Sequence, residues 1–208
     1  MKKLLIVIAV IIAAFVVYKF VIKKDKPPRE KPVPISVSKH SDVFNHSMEA
    51  VLASYYVMAD GFVNWDTVAV GKAARTVQTA LADFKAEELK QDSAIYQTAQ
   101  YPLEMAKTNT GVIINTADWT EKRHALNDLS DALRMLLLTV KYDQAPVYWQ
   151  ECPMAFGEGQ PANWLSGKNE VINPYLGNKD PKHGKTMLNC GENKMVIDFT
   201  APDSLQKK

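Results

Sequence analysis

Apolar positions in this chain fall into three textures, and each predicts a different kind of structure. The first is a continuous run, Leu4 to Ile22, broken only by Lys19. At ~1.5 Å of rise per residue it gives a helix of about 28 Å, against a hydrocarbon core of ~30 Å, so residues 1–22 are expected to form a transmembrane helix. The second texture, from 41 to 143, is a helical rhythm. Phe44, Met48, Val51, Leu52, Tyr55, Met58, Ala59 and Phe62 trace one face; Val70, Ala73, Ala74, Val77, Leu81 and Phe84 trace another. A third segment runs from Ile95 through Leu103, Met105 and Ala106 to Ile114, with Pro102 expected to kink or restart it. Leu126, Leu129, Leu133, Leu136, Leu137 and Val140 form the most regular stripe. Ser41 or Asp42, Asp66, Asp92 and Asp118 stand where amide caps belong, Glu121 adds a capping-box variant, and Gly61 is expected to end the first helix.

These segments predict a mainly α fold, an up-and-down four-helix bundle over residues 41–143. The third texture covers 144–200, where Pro146, Pro153, Pro161, Pro174 and Pro181 exclude another long helix. It predicts an irregular C-terminal cap. Val147-Tyr148-Trp149 and Met195 to Phe199 are its strand candidates, expected to pair as a small antiparallel ribbon that brings Cys152 and Cys190 together. Residues 201–208 read as a flexible tail.

Charge and composition refine the placement. A formal charge of +2 over 208 residues, with part of the excess beside the first apolar run, argues against nucleic acid as a partner. Residues 23–40 hold Pro27, Pro28, Pro32 and Pro34 among lysines, which predicts an extended spacer lifting the domain off a membrane. No Ala-x-Ala site and no lipoprotein-type cysteine follow the apolar run, so it reads as an uncleaved signal anchor, with Lys19 snorkelling to the interface. The cations after the span would by themselves hold the domain in the cytoplasm. The Lys2-Lys3 start and a cysteine pair suited to an oxidising compartment favour the opposite orientation: single-pass in a bacterial inner membrane, domain on the periplasmic side.

The chemistry concentrates in the cap. Both cysteines lie there, Cys152 beside Met154 and Cys190 beside Met187, with His183 on the loop between. Two thiols and two thioethers brought together make a soft-ligand site that selects Cu(I), and His183 can add an imidazole. The same cysteines can instead form a disulfide, which would stabilise the fold by roughly 4 kcal/mol in the chain-entropy model. Trp164 and Tyr175, set among prolines and glycines, read as the aromatic core of the cap. His124, Asp128 and Ser130 share one helix, and a serine there cannot reach the imidazole as a hydrolase nucleophile must. Gly184-Lys185-Thr186 lacks the upstream glycine spacing of a phosphate loop, and no Cys-x-x-Cys or His-Glu-x-x-His occurs. The expected function is therefore non-enzymatic.

The run Cys152-Pro153-Met154-Ala155, Trp164-Leu165-Ser166, Asn173-Pro174-Tyr175 and Met187-Leu188-Asn189-Cys190-Gly191 resembles the end of the bacterial family called domain of unknown function 3347. Arg123 to Ser130 is similar to that family's Arg-x-x-Phe-x-x-Leu-Ser helix, with Leu126 in the phenylalanine position. The likeness spans roughly residues 43 to 195 and is most specific around the cysteines. It implies an exported or membrane-anchored domain, linked in some members to copper and heavy-metal efflux components. Cys152, Met154, Met187 and Cys190 would be its signature positions, and a metal-efflux or other envelope complex its partner. Asn178 to Gly184 is an extra segment relative to that pattern.

Overall fold

The computed structural model describes residues 39–201; the expected membrane anchor, nearly all of the spacer and nearly all of the tail lie outside the described residues. Among the described residues, four α-helices each begin at a side chain that accepts from otherwise unpaired backbone amides. Helix α1 (Asp42–Val63) starts at Ser41, whose hydroxyl accepts from the Phe44 amide. Helix α2 (Thr67–Ala82) starts at Asp66, bonded to the Val68 and Ala69 amides. Helix α3 (Ser93–Asn115) starts at Asp92, bonded to Ala94 and Ile95, and α4 (Trp119–Val140) at Asp118, bonded to Glu121. Each such cap contributes about 1 kcal/mol. The capping box at Asp118 is only half formed: Glu121 takes the Thr116 hydroxyl, while the Asp118 amide donates to that same hydroxyl oxygen at 3.1 Å.

Two expectations about helix ends are corrected. Helix α1 runs two residues beyond Gly61, because this glycine serves packing and not termination: a Cβ there would lie 3.0 Å from Val70 Cγ2 and 3.2 Å from the Val70 amide nitrogen. Of the two outcomes expected at Pro102, a kink or a fresh start, the fresh start does not occur: α3 is continuous through it. The ring removes one ladder hydrogen bond, yet it is buried within the packed face of α3, where Ala99, Leu103 and Ala106 are also buried. A short 3-10 turn over Ala86–Gln91, unforeseen in the pattern, links α2 to α3 and buries Ala86 and Leu89.

Helices that follow one another pack together, α1 on α2, α2 on α3 and α3 on α4. The apolar stripes meet in one continuous core in which Phe44, Met48, Tyr55, Phe62, Leu126, Leu129 and Leu133 are completely buried. Burying each such side chain is worth ~1.5–3 kcal/mol relative to exposure. No helix among the described residues is long and apolar enough to cross a membrane.

Beyond α4 the chain forms a three-stranded antiparallel sheet of β1 (Val147–Cys152), β2 (Ala162–Ser166) and β3 (Glu192–Ile197), in the order β2-β1-β3. The expected ribbon is present as β1 on β3, with Tyr148 opposite Val196 and Trp149 opposite Met195, and a register shift between Trp149 and Gln150. Strand β1 extends past Trp149 to Cys152, and β3 begins earlier than Met195 and stops at Ile197. Strand β2 was not expected. Gln150, wholly buried on the central strand, donates to Asn193 on β3 at 2.9 Å and to the Lys168 and Glu170 carbonyls of the loop after β2.

Tyr55 joins sheet and bundle. Its hydroxyl lies 2.6 Å from Ser130 Oγ on α4 and accepts from the Leu165 amide of β2 at 3.1 Å. Burial pushes its phenol up to about 12, so it stays a neutral hydroxyl at physiological pH. Tyr55→Phe would leave the buried Leu165 amide unpaired, and an unmet buried donor costs about 1–3 kcal/mol. We expect a loss in that range in urea denaturation. Tyr56→Phe, whose hydroxyl makes no hydrogen bond among the described residues, should change stability by less than about 0.5 kcal/mol. Equal effects from both substitutions would refute the joining role of Tyr55.

Candidate functional site

The ends of two paired strands place the cysteines. Cys152 closes β1, and the β1–β3 ladder pairs Glu151 with Glu192, so one further step sets Gly191 across from Cys152 and Cys190 beside it. Gly191 adopts φ +141, and a Cβ on it would stand 2.6 Å from the Glu151 carbonyl oxygen and 3.0 Å from the Trp164 ring. Only glycine lets the chain pass this close. In this structure the two sulfur atoms lie 3.1 Å apart in the dithiol form, with Cys152 completely buried and Cys190 partly so.

The loop that delivers Cys190 is organised by Asn173, which is wholly buried. Its amide nitrogen donates to the Cys190 carbonyl at 2.8 Å, and its carbonyl oxygen accepts from the Tyr175 and Leu176 amides at 2.8 and 3.1 Å. The Asn173 backbone amide also donates to Leu188, tying both sides of the loop. Trp164 and Tyr175 are buried to 2% and 0% exposure and meet edge to face at 6.0 Å, and the Tyr175 hydroxyl donates to the Asn163 carbonyl. At the bundle side, Gly177 approaches the end of α1 so closely that a Cβ would lie 2.4 Å from the Val63 carbonyl oxygen. Trp65, with a left-handed φ of 54°, donates its indole N–H to the Leu176 carbonyl at 3.0 Å.

The remaining expected ligands lie as follows. Met187 occupies the turn before Cys190, whose amide donates to the Met187 carbonyl at 3.0 Å, and its side chain packs partly buried against the core. Met154 and His183 line a cavity of about 610 Å³ together with Arg123, Phe156, Leu176 and Asp180; Cys152, Cys190 and Met187 are not part of its wall. Among the described residues, no three His, Cys, Asp or Glu side chains converge in a way that could hold a metal ion.

The geometry of the sulfur pair bears on what it can do. Metal–thiolate bonds of ~2.3 Å in a tetrahedral site set two sulfurs ~3.8 Å apart, so at 3.1 Å no metal ion fits between them as they stand. Ligation also needs thiolates, and burial together with the neighbouring Cys152 sulfur pushes the Cys190 thiol up to about 12. Oxidation to the disulfide removes two protons and two electrons, which an external disulfide oxidant must accept by thiol–disulfide exchange, and needs the sulfurs to close by only about 1 Å to the ~2.05 Å of a disulfide.

The other chemistry weighed in the sequence is placed elsewhere. Ser130 is fully buried and held between Tyr55 and the Leu126 carbonyl, and His124 stacks on Phe156 at 3.9 Å between centroids. Arg123 and Asn173, the residues the sequence reading passed over, organise the surroundings. Their only sequence signal was membership of the quoted motifs. No family model, curated protein or solved structure matches this chain.

Proposed function

We propose that this chain is a membrane-anchored envelope protein of the bacterial inner membrane, with its helical domain on the periplasmic side. It works without enzymatic chemistry, as an interaction module whose cap is stapled by a Cys152–Cys190 disulfide. The observation that carries this reading is the 3.1 Å approach of two sulfurs contributed by opposite ends of the cap. A cap of short strands and turns gains from such a bond because it restricts the unfolded chain more than it changes the folded one. The resemblance to domain of unknown function 3347 supports docking onto an envelope complex of the efflux type.

Two measurements test it. Alkaline phosphatase fused to the C-terminus is active if the domain is exported and inactive if it stays in the cytoplasm. Protein purified from the envelope without reductant should not retain Cu(I) against a competing chelator. Retention that is abolished by Cys152→Ser with Cys190→Ser would replace the staple with the soft-metal site of Cys152, Met154, Met187, Cys190 and His183.

A further inference from the structure

The cavity beside the cysteine strand holds a cation whose hydrogen-bonding capacity is mostly unused. Arg123 leaves the first turns of α4 and lies between aromatic rings, its guanidinium carbon 5.2 Å from the Phe156 centroid and 5.9 Å from that of Trp65. One terminal nitrogen, Nη2, donates to the Ala155 carbonyl. Its Nε is buried with no partner, and among the described residues Arg123 makes no ion pair. A guanidinium carries five donors, and leaving a buried one unmet is costly.

Asp180, on the same wall, is committed elsewhere: its Oδ1 accepts from the Lys182 and His183 amides at 2.9 and 2.8 Å. It lies near enough to favour the charged form of Arg123, which burial opposes, but forms no ion pair with it. The rest of the wall joins the apolar Met154, Phe156 and Leu176 to Glu158, Lys182 and His183, and the volume of about 610 Å³ falls in the ~300–1,000 Å³ range of small-molecule sites.

We infer that this cavity binds a small organic monoanion, a carboxylate on an apolar or aromatic body, with Arg123 as its anchor. Two cations, Arg123 and Lys182, share the wall with two carboxylates, Asp180 and Glu158, and with His183, so it carries no surplus of positive charge for a polyanion. Arg123 offers a planar donor fork of the kind that recognises carboxylates, and that fork fits one carboxylate. The apolar wall then receives the body of the ligand. None of this depends on the oxidation state of the cysteines, so it stands or falls separately from the staple. A carboxylate of this kind can be a free acid or the C-terminus of a peptide, and the experiment distinguishes them.

The full-length protein in detergent is titrated with 3-phenylpropionate, octanoate and the peptide N-acetyl-Gly-Gly-Phe, each beside its neutral amide, following tryptophan fluorescence, for which Trp65 beside Arg123 is the reporter. We expect saturable binding of at least one carboxylate, with its amide weaker by about tenfold or more, a difference of 1.4 kcal/mol. Preference for N-acetyl-Gly-Gly-Phe over the free acids would assign a peptide terminus, and the reverse order a small acid. Arg123→Met should abolish the discrimination between acid and amide, and Phe156→Ala should weaken both forms while keeping it. Equal affinity for acid and amide in the wild type, or no saturable change with any of the three acids, would overturn the assignment even if Arg123→Met failed to fold.

Discussion

Asn173→Ala is expected to destabilise the domain by about 3–5 kcal/mol, although it removes only a small polar side chain. The substitution leaves the buried Tyr175 and Leu176 amides without an acceptor and the Cys190 carbonyl without its donor. Each unmet buried group costs about 1–3 kcal/mol, and access of water to the partly buried Cys190 moderates the sum. Asn189, in the same loop, is the control. It is exposed and makes one side-chain hydrogen bond, to the Val171 carbonyl, so Asn189→Ala should cost no more than about 1 kcal/mol. Urea denaturation of the two variants under non-reducing conditions gives the comparison. If they lose similar small amounts, the buried asparagine does not organise the cap.

The second large effect is reduction. Cys152 and Cys190 are separated by 38 positions, and closing a loop of that length contributes about 4 kcal/mol in the chain-entropy model. For a chain of this size, a strong phosphine reductant should lower the melting temperature by roughly 8–16 °C. Cys190→Ser should melt near the reduced wild type and be indifferent to the reductant. A wild-type melting temperature that the reductant leaves unchanged would mean that the two sulfurs, however close, are not bonded in the folded protein.

The helices were legible because their signals are local. Ser41, Asp66, Asp92 and Asp118 precede runs of apolar residues at helical spacing, and the structure uses all four as caps. The β1–β3 pairing was legible for a related reason, since Val147-Tyr148-Trp149 and Met195-Val196-Ile197 are rich in residues suited to a half-buried pleated surface. Strand β2 was hidden because Ala162, Asn163 and Ser166 carry little strand preference; it forms because β1 offers a free edge and α4 a surface to cover. Gly61 misled for the opposite reason, a strong local signal that packing against α2 overrides, and the fresh start offered at Pro102 was overridden likewise.

In the cap, the sequence showed which side chains carry chemistry but not which of them face one another. The meeting of Cys152 with Cys190 followed from the expected ribbon. The placing of Met154 and His183 on a cavity wall that the thiols do not line did not, because it depends on how the segment after Cys152 turns toward α4. Asn173 could not be singled out in advance either. An asparagine before a proline reads as a turn residue, and only its distant partner, Cys190, makes it the organiser of the loop.

The most direct measurement is the number of free thiols on protein taken from the envelope, alkylated under denaturing, non-reducing conditions and weighed intact. A staple between the strand end and the returning loop predicts no label before reduction and two labels after it. Two labels before reduction, on protein that is folded and fully exported, would contradict it.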